Sequence, residues 1–216
     1  MTRATAIVGD IHGEAGQLSE LIGALENRHI IFVGDYINRG SRSRETLEQV
    51  IELKLNRPET ICLLGNHEAA LLGYFAGSVE FYELAGLGGI ATIRSYLSRV
   101  SGDVREELFL AMPKAHREFL QSCPSYFESE DMIVSHCGVD PANPSSREPV
   151  DMVMTRHEEL FRPGFTPPKL VVCGHYAQQG GLPHVDNNFI CLDTGCGTTG
   201  GPLTALLLPE REFLQR

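Results

Sequence analysis

Residues 30–40 read IIFVGDYINRG: an apolar run, then a glycine-bounded loop that carries an acid, an amide and an arginine. The same build recurs on either side. AIVGDIHG at 6–13 ends an apolar run in Asp10 and His12, and ICLLGNHE at 61–68 ends another in Asn66 and His67. Between the first two runs Leu18, Leu21, Ile22 and Leu25 recur at helical spacing, and Leu47, Val50 and Ile51 do so between the second and third. The pattern is βαβαβ, with Ser41 or Ser43 available to cap the second helix. Right-handed crossovers put the loops at the carboxyl ends of parallel strands along one edge, so the three polar loops are expected to converge.

Downstream, residues 69–124 read as a helical insertion, clearest in LGGIATIRSYL and HREFLQSC. Short runs then return at Met132–Val134, Leu170–Cys173, Phe189–Leu192 and Leu203–Leu208, separated by Gly- and Pro-rich turns. The expected fold is α/β: two packed, mostly mixed β-sheets flanked by helices, one domain over residues 1–216, with N- and C-terminal strands in separate sheets. At 42% hydrophobic and 21% charged residues the chain is that of a folded protein. A formal net charge of −10 argues against a nucleic-acid polymer or an anionic membrane as partner. No run is long enough to span a bilayer, and the reading is a cytoplasmic monomer with six reduced cysteines.

The loops carry the chemistry. Asp10 and His12 stand two apart on a tight loop; Asp35 and Asn66 occupy the position of Asp10 after the next two strands. His136, after MIVS, and His175, after LVVCG, add two imidazoles at later strand ends. Six oxygen and nitrogen donors exceed the four of a structural zinc site. Two divalent ions fit better, with Asp35 as the natural bridge, in the arrangement that clamps phosphoryl oxygens and generates a hydroxide nucleophile near neutral pH. His29, His116, His157 and His184 lack such loops and are assigned to surface or helix faces. Cys137 and Cys173, beside two of the donors, read as small buried fillers.

In order, GDIHG, GDYINRG, GNHE, SHCG and GHY resemble the calcineurin-like metallophosphoesterases, specifically the phosphoprotein phosphatase branch. FLQSCPSYFES, TRHEELF and FICLDTGCGTTGGPLTAL are similar to segments of compact bacterial and phage-type serine/threonine phosphatases, and related segments occur in symmetrical diadenosine tetraphosphate hydrolases. The resemblance implies a four-layer α/β sandwich with two divalent ions, manganese first and iron or zinc as alternatives. Asp10, His12 and Asp35 would hold one ion, and Asp35, Asn66, His136 and His175 the other. Arg39 and Arg156 would grip phosphate with Asn66 beside them, and His67 would protonate the leaving group. The family usually has an aspartate where this chain has Asn38. An amide can offer its carbonyl oxygen to the His67 ring N–H, but it brings no charge to favour imidazolium.

A working enzyme with a weaker acid step is preferred to an inactive relative or an introduced substitution, because the six donors and His67 are all present. The leading expectation is a serine/threonine protein phosphatase acting on a phosphorylated protein or a small phosphorylated substrate. The alternatives are a dinucleoside polyphosphate hydrolase and a phosphopeptide-binding relative. Specificity is expected to lie in the helical insertion.

Overall fold

A computed structural model describes residues 4–216. The first half runs β1 (Thr5–Val8), α1 (Ala15–Gly23), β2 (His29–Phe32), α2 (Ser43–Asn56), β3 (Ile61–Cys62) and α3 (Asn66–Ala76). The insertion continues from α3 through α4 (Phe81–Gly86), α5 (Gly89–Tyr96), α6 (Val104–Ala111) and α7 (Lys114–Ser122). Then come β4 (Tyr126–Glu128), β5 (Met132–Ser135), α8 (Pro149–Val153), β6 (Leu170–Cys173), β7 (His184–Asp186), β8 (Phe189–Cys191), β9 (Thr204–Leu208) and β10 (Glu212–Gln215). None of the described helices is long and apolar enough to cross a membrane.

The strands form two five-stranded mixed sheets, ordered β10-β9-β1-β2-β3 and β4-β5-β6-β8-β7. One expectation is corrected here: β9 and β10 do not stay with the later strands. β9 lies antiparallel on β1, pairing Val8 with Ala205, so the C-terminal hairpin completes the first sheet. β1, β2 and β3 are parallel to one another, as are β5, β6 and β8.

Strand alternation sorts the side chains into layers. Ala6, Val8, Ile30 and Phe32 face the helices, while Ile7, Ile31, Val33 and Leu63 face the second sheet, meeting Val134, Val172, Ile190 and Leu192. On the far side of that sheet Ile133, Val171 and Phe189 pack on Met152, Val153 and Leu160. Both faces of each central parallel strand are therefore covered, which is why these strands read as unbroken apolar runs. The six cysteines are free thiols, and all but Cys123 are buried.

Two local expectations fail for identifiable reasons. α2 starts at Ser43 with no side-chain cap, because the Ser43 hydroxyl is turned inward to accept the Asn38 N–H at 3.1 Å. His157, assigned to a surface or helix face, is instead buried outside the α-helices with its ring at 3.1 Å from the Asp151 carbonyl, while His116 does lie on a helix, α7, its ring 2.7 Å from the Tyr96 hydroxyl. The edge strand β4 is tied at Glu128 to Arg147 and Lys169, each at 2.8 Å. Hydrogen bonds from these two cations pull the Glu128 carboxyl down to about 2. A folded-state value below the unfolded one adds stability above the unfolded value of about 4.3, and that stability is lost as pH falls through the folded value. Glu128→Gln is accordingly expected to destabilise the protein at pH 7 slightly, by at most about 1 kcal/mol for a partly exposed pair. The gap from the unsubstituted protein should close as thermal melts are taken from pH 4.5 toward pH 2.

Candidate functional site

The loops after β1, β2, β3, β5 and β6 meet at one end of the sandwich around a cleft of about 470 Å3. His12, Asp35, Arg39, Asn66, His67, Arg156 and His175 line it, together with Leu87, Met154 and Asp193. Asp10 and His136 lie just behind, buried. The backbone there is unusual. Of the six non-glycine residues with positive φ among those described, five are His12, Asp35, Asn38, Arg39 and His175. Left-handed conformations at residues with a Cβ persist where the surroundings over-determine them, and they concentrate at functional sites. Gly65 shows how tightly the loops approach, since a Cβ there would collide with the Asp35 carboxylate and backbone.

Asp35 is central. Its Oδ2 lies 3.4 Å from His136 Nε2 and 3.6 Å from both His12 Nε2 and His67 Nε2. Two of these rings have their tautomers set from behind. His12 Nδ1 contacts the Ile37 carbonyl at 3.0 Å and His136 Nδ1 the Val33 carbonyl at 3.1 Å. A carbonyl only accepts, so each Nδ1 carries the proton and each neutral ring turns its Nε2 lone pair inward. His136 Nε2 then faces the Asn66 Oδ1 at 2.8 Å, with His175 Nδ1 2.9 Å from that same oxygen. Acceptor atoms at such distances repel unless a proton or a cation stands among them.

Two further buried atoms lack any hydrogen-bond partner, Asp10 Oδ1 and His175 Nε2. Their orphaned state and the converging lone pairs fit a metal centre of mixed oxygen and imidazole donors. Asp10, Asp35 and His136 form one group able to hold an ion, and His12, Asp35 and His67 another. His136 and His175 can also meet an ion together with Cys137.

The electrostatics follow from burial. Burial pushes the Asp10 carboxyl well up, helped by the charges of Asp193 and Asp35. For Asp35 burial acts the same way, but His136, His67 and His12 together hold it well below the usual carboxylate range. Burial lowers His67 to about 4 and His175 to about 3, with Asp35 opposing in both cases.

Reading the sequence missed three contributors. Asp193, in the segment LDTGCG, is buried in the cleft and accepts the Gly195 N–H at 3.1 Å. Glu68 is fully buried and accepts four backbone N–H groups: Oε2 takes Asp35 at 2.8 Å and Gly65 at 3.1 Å, Oε1 takes Tyr36 at 2.9 Å and Ile37 at 3.2 Å. Burial and the Asp35 charge raise its carboxyl to about 8, while the donated bonds favour the anion. Thr92, from α5, reaches the Asn38 side chain at 2.7 Å. Arg156 lies on the segment between α8 and the 3-10 turn at Glu158–Phe161, stacked over Tyr176 at 5.0 Å and paired with Glu158.

The chain belongs to the calcineurin-like phosphoesterase family. The model of that family matches residues 4–179. The chain is therefore a metallophosphoesterase, a hydrolase of a family that uses divalent metal ions. Over 96% of its length it is 26% identical to the Halalkalibacterium halodurans protein named bis(5'-nucleosyl)-tetraphosphatase PrpE [asymmetrical], covering 91% of that relative. In an alignment 86 positions long that covers 36% of the chain, it is 41% identical to the Candida albicans serine/threonine-protein phosphatase PP2A-like PPG1, covering 21% of that relative. Among solved structures, a Saccharomyces cerevisiae protein serine/threonine phosphatase with similarity to human PP5 superposes with a TM-score of 0.66 at 15% identity, over 99% of this chain and 79% of that one.

Removing the Glu68 carboxylate leaves four buried N–H donors without an acceptor. Glu68→Ala is expected to cost about 3 kcal/mol of stability, since each orphaned group costs about 1–3 and the loop recovers part by relaxing. It should also weaken Mn2+ binding, through displacement of Asp35, more than Glu68→Gln does. Calorimetric titration and thermal melts read the two effects.

Proposed function

We propose that the cleft hydrolyses phosphate compounds whose leaving group departs with little or no protonation, with a nucleoside polyphosphate as the preferred substrate class. The observation that carries this reading is the contact between the Asn38 Nδ2 and the His67 Nδ1, at 2.9 Å. The expectation that the carbonyl oxygen would face the ring is corrected. That oxygen accepts instead from the Thr92 hydroxyl at 2.7 Å, and the amide N–H2 is turned to the imidazole.

An N–H donor against Nδ1 makes that atom an acceptor, so the ring proton sits on Nε2, toward the cleft. A neutral Nε2–H gives a leaving oxygen a hydrogen bond but yields a whole proton less readily than imidazolium does. A departing phosphate, whose second ionisation lies near about 6, leaves comfortably as an anion, whereas an alkoxide from serine or threonine does not. Similarity to the tetraphosphatase named above along nearly the whole chain agrees with this choice. Phosphoserine or phosphothreonine hydrolysis is the second reading, favoured by the shorter segment shared with the PP2A-like phosphatase.

In this reading Asp10, His12, Asp35, Asn66, His136 and His175 hold two divalent ions. When bound, these supply neutralisation of phosphoryl charge and activation of water. Arg39 and Arg156, both lining the cleft, orient the phosphate oxygens with planar guanidinium groups. Asn66, at the start of α3, adds a polar contact beside them, and His67 stands beside the leaving group.

The Mn2+-loaded protein should cleave diadenosine tetraphosphate and p-nitrophenyl phosphate with higher kcat/KM than a phosphoserine peptide, and chelation should abolish all three activities. Higher efficiency on the peptide would reverse the assignment. Asn38→Asp, by setting a negative charge against Nδ1–H and so favouring imidazolium, should raise kcat on the peptide by about tenfold and on the two good leaving groups by much less.

A further inference from the structure

The helical insertion reaches the catalytic loop at two points. At the junction of α4 and α5 the Gly88 carbonyl accepts the Arg39 N–H at 3.1 Å. One turn further along α5, the buried Thr92 hydroxyl meets Asn38 twice. It accepts the Asn38 backbone N–H at 2.9 Å and stands 2.7 Å from the Asn38 Oδ1. Asn38 and Arg39 are the two consecutive left-handed residues of the loop, with φ of 70° and 65°. An element 54 residues away in sequence therefore buttresses the part of the loop that faces His67.

The hydroxyl has one proton to give and two neighbouring acceptors, the Asn38 Oδ1 at 2.7 Å and the Ser43 Oγ at 3.1 Å. The nearer contact has the usual length of an O–H···O bond and sits at the short limit for N–H···O, which places the amide oxygen, not its nitrogen, against Thr92. With the oxygen held there, the amide N–H2 has only one direction left, toward His67 Nδ1. Asn38, Ser43, Thr92 and His67 are all buried, so water does not compete for these bonds.

We propose that Thr92 is a positioning residue for the hydrolytic reaction: its hydroxyl fixes the Asn38 amide, and through it sets the His67 tautomer that presents Nε2–H to the leaving group. The inference rests on the reading of this cleft as a phosphohydrolase site with His67 beside the leaving oxygen. Asparagine has two faces of nearly equal shape, and an unguided amide would offer the ring either an oxygen or an N–H2. A carboxylate needs no such guide, because both of its oxygens accept.

The test compares Thr92→Val and Thr92→Ser, each alone and in the Asn38→Asp background. Two quantities are measured: kcat and KM of the Mn2+-loaded protein on a phosphoserine peptide, whose alkoxide needs the His67 proton, and the His67 ring nitrogen shifts by long-range 1H–15N NMR without metal. Thr92→Val alone should lower kcat by about tenfold with KM within about twofold, and should move the His67 shifts from the Nε2–H form toward a mixture. Thr92→Ser should restore both. In the Asn38→Asp background Thr92→Val should change kcat less than about twofold, because the carboxylate presents an acceptor in either rotation.

An unchanged kcat and unchanged shifts in Thr92→Val would overturn the proposal. So would an equal loss in both backgrounds, which would mark a packing effect. Should Thr92→Val fail to fold, Thr92→Ala against Thr92→Ser supplies the same comparison. Absence of turnover on every phosphate substrate removes the functional reading, while Thr92-dependent shifts in that same protein would still separate amide control from mere packing.

Discussion

One carboxylate organises the site: Asp35, set among three imidazoles on a backbone that an ordinary residue avoids. A left-handed conformation at a residue with a side chain costs on the order of 1–3 kcal/mol. Something must hold it, and here two devices do so. Glu68 collects the N–H groups of Asp35, Tyr36 and Ile37 as they curl, and the missing Cβ of Gly65 lets the third loop close on the second. The GNHE loop thus contributes more than Asn66 and His67. Its glycine and its acid are what allow the GDYINRG loop to exist in this shape.

Much of this was legible in the sequence, and for a physical reason. Parallel strands buried on both faces leave unbroken apolar runs, and the loops at their carboxyl ends must use glycine where backbones nearly touch. Those two signals together placed Asp10, His12, Asp35 and Asn66 at one edge. The illegible parts depend on distant chain. Nothing local to LTALLL says that it will pair with β1, because a short apolar strand fits either sheet. Glu68 reads as an ordinary first-turn acid of α3 until three N–H groups from another loop are seen to need an acceptor. Ser43 reads as a helix cap for the same reason; its hydroxyl is drawn inward by Asn38. TRHEELF contains good helix formers, yet α8 ends at Val153 and Arg156 falls before the next short helix begins.

The amide at Asn38 shows how one atom pair can redirect a whole site. Exchanging a carboxylate oxygen for N–H2 changes the charge, but it also reverses the direction of the hydrogen bond to the neighbouring imidazole. The second effect exists only if the amide is held one way round, and the holding group comes from the insertion. The insertion therefore bears on chemistry as well as on the shape of the cleft mouth, where Leu87 stands beside Arg39. The end of α4, where Leu87 lines the rim, and α5, which carries Thr92, together connect the cleft mouth with the amide beside the His67 ring.

The charge balance sets the order in which such a cleft must fill. Asp10, Asp35, Glu68 and Asp193 are all buried beneath it, in a chain whose net charge is −10. Against these stand two arginines at the mouth, one already paired with Glu158. Burial holds the Asp10, Glu68 and Asp193 carboxyls toward their protonated forms, so without a cation the floor carries chiefly the Asp35 charge, and two guanidinium groups near the surface, where water screens them, attract a phosphate only weakly. In the proposed reading, two divalent cations held there would make the floor positive and leave the outside acidic. Metal and anionic substrate must then bind with positive coupling, each raising the affinity for the other by the same factor. The acidity that seems to oppose a phosphate substrate is what makes its binding conditional on a loaded metal centre.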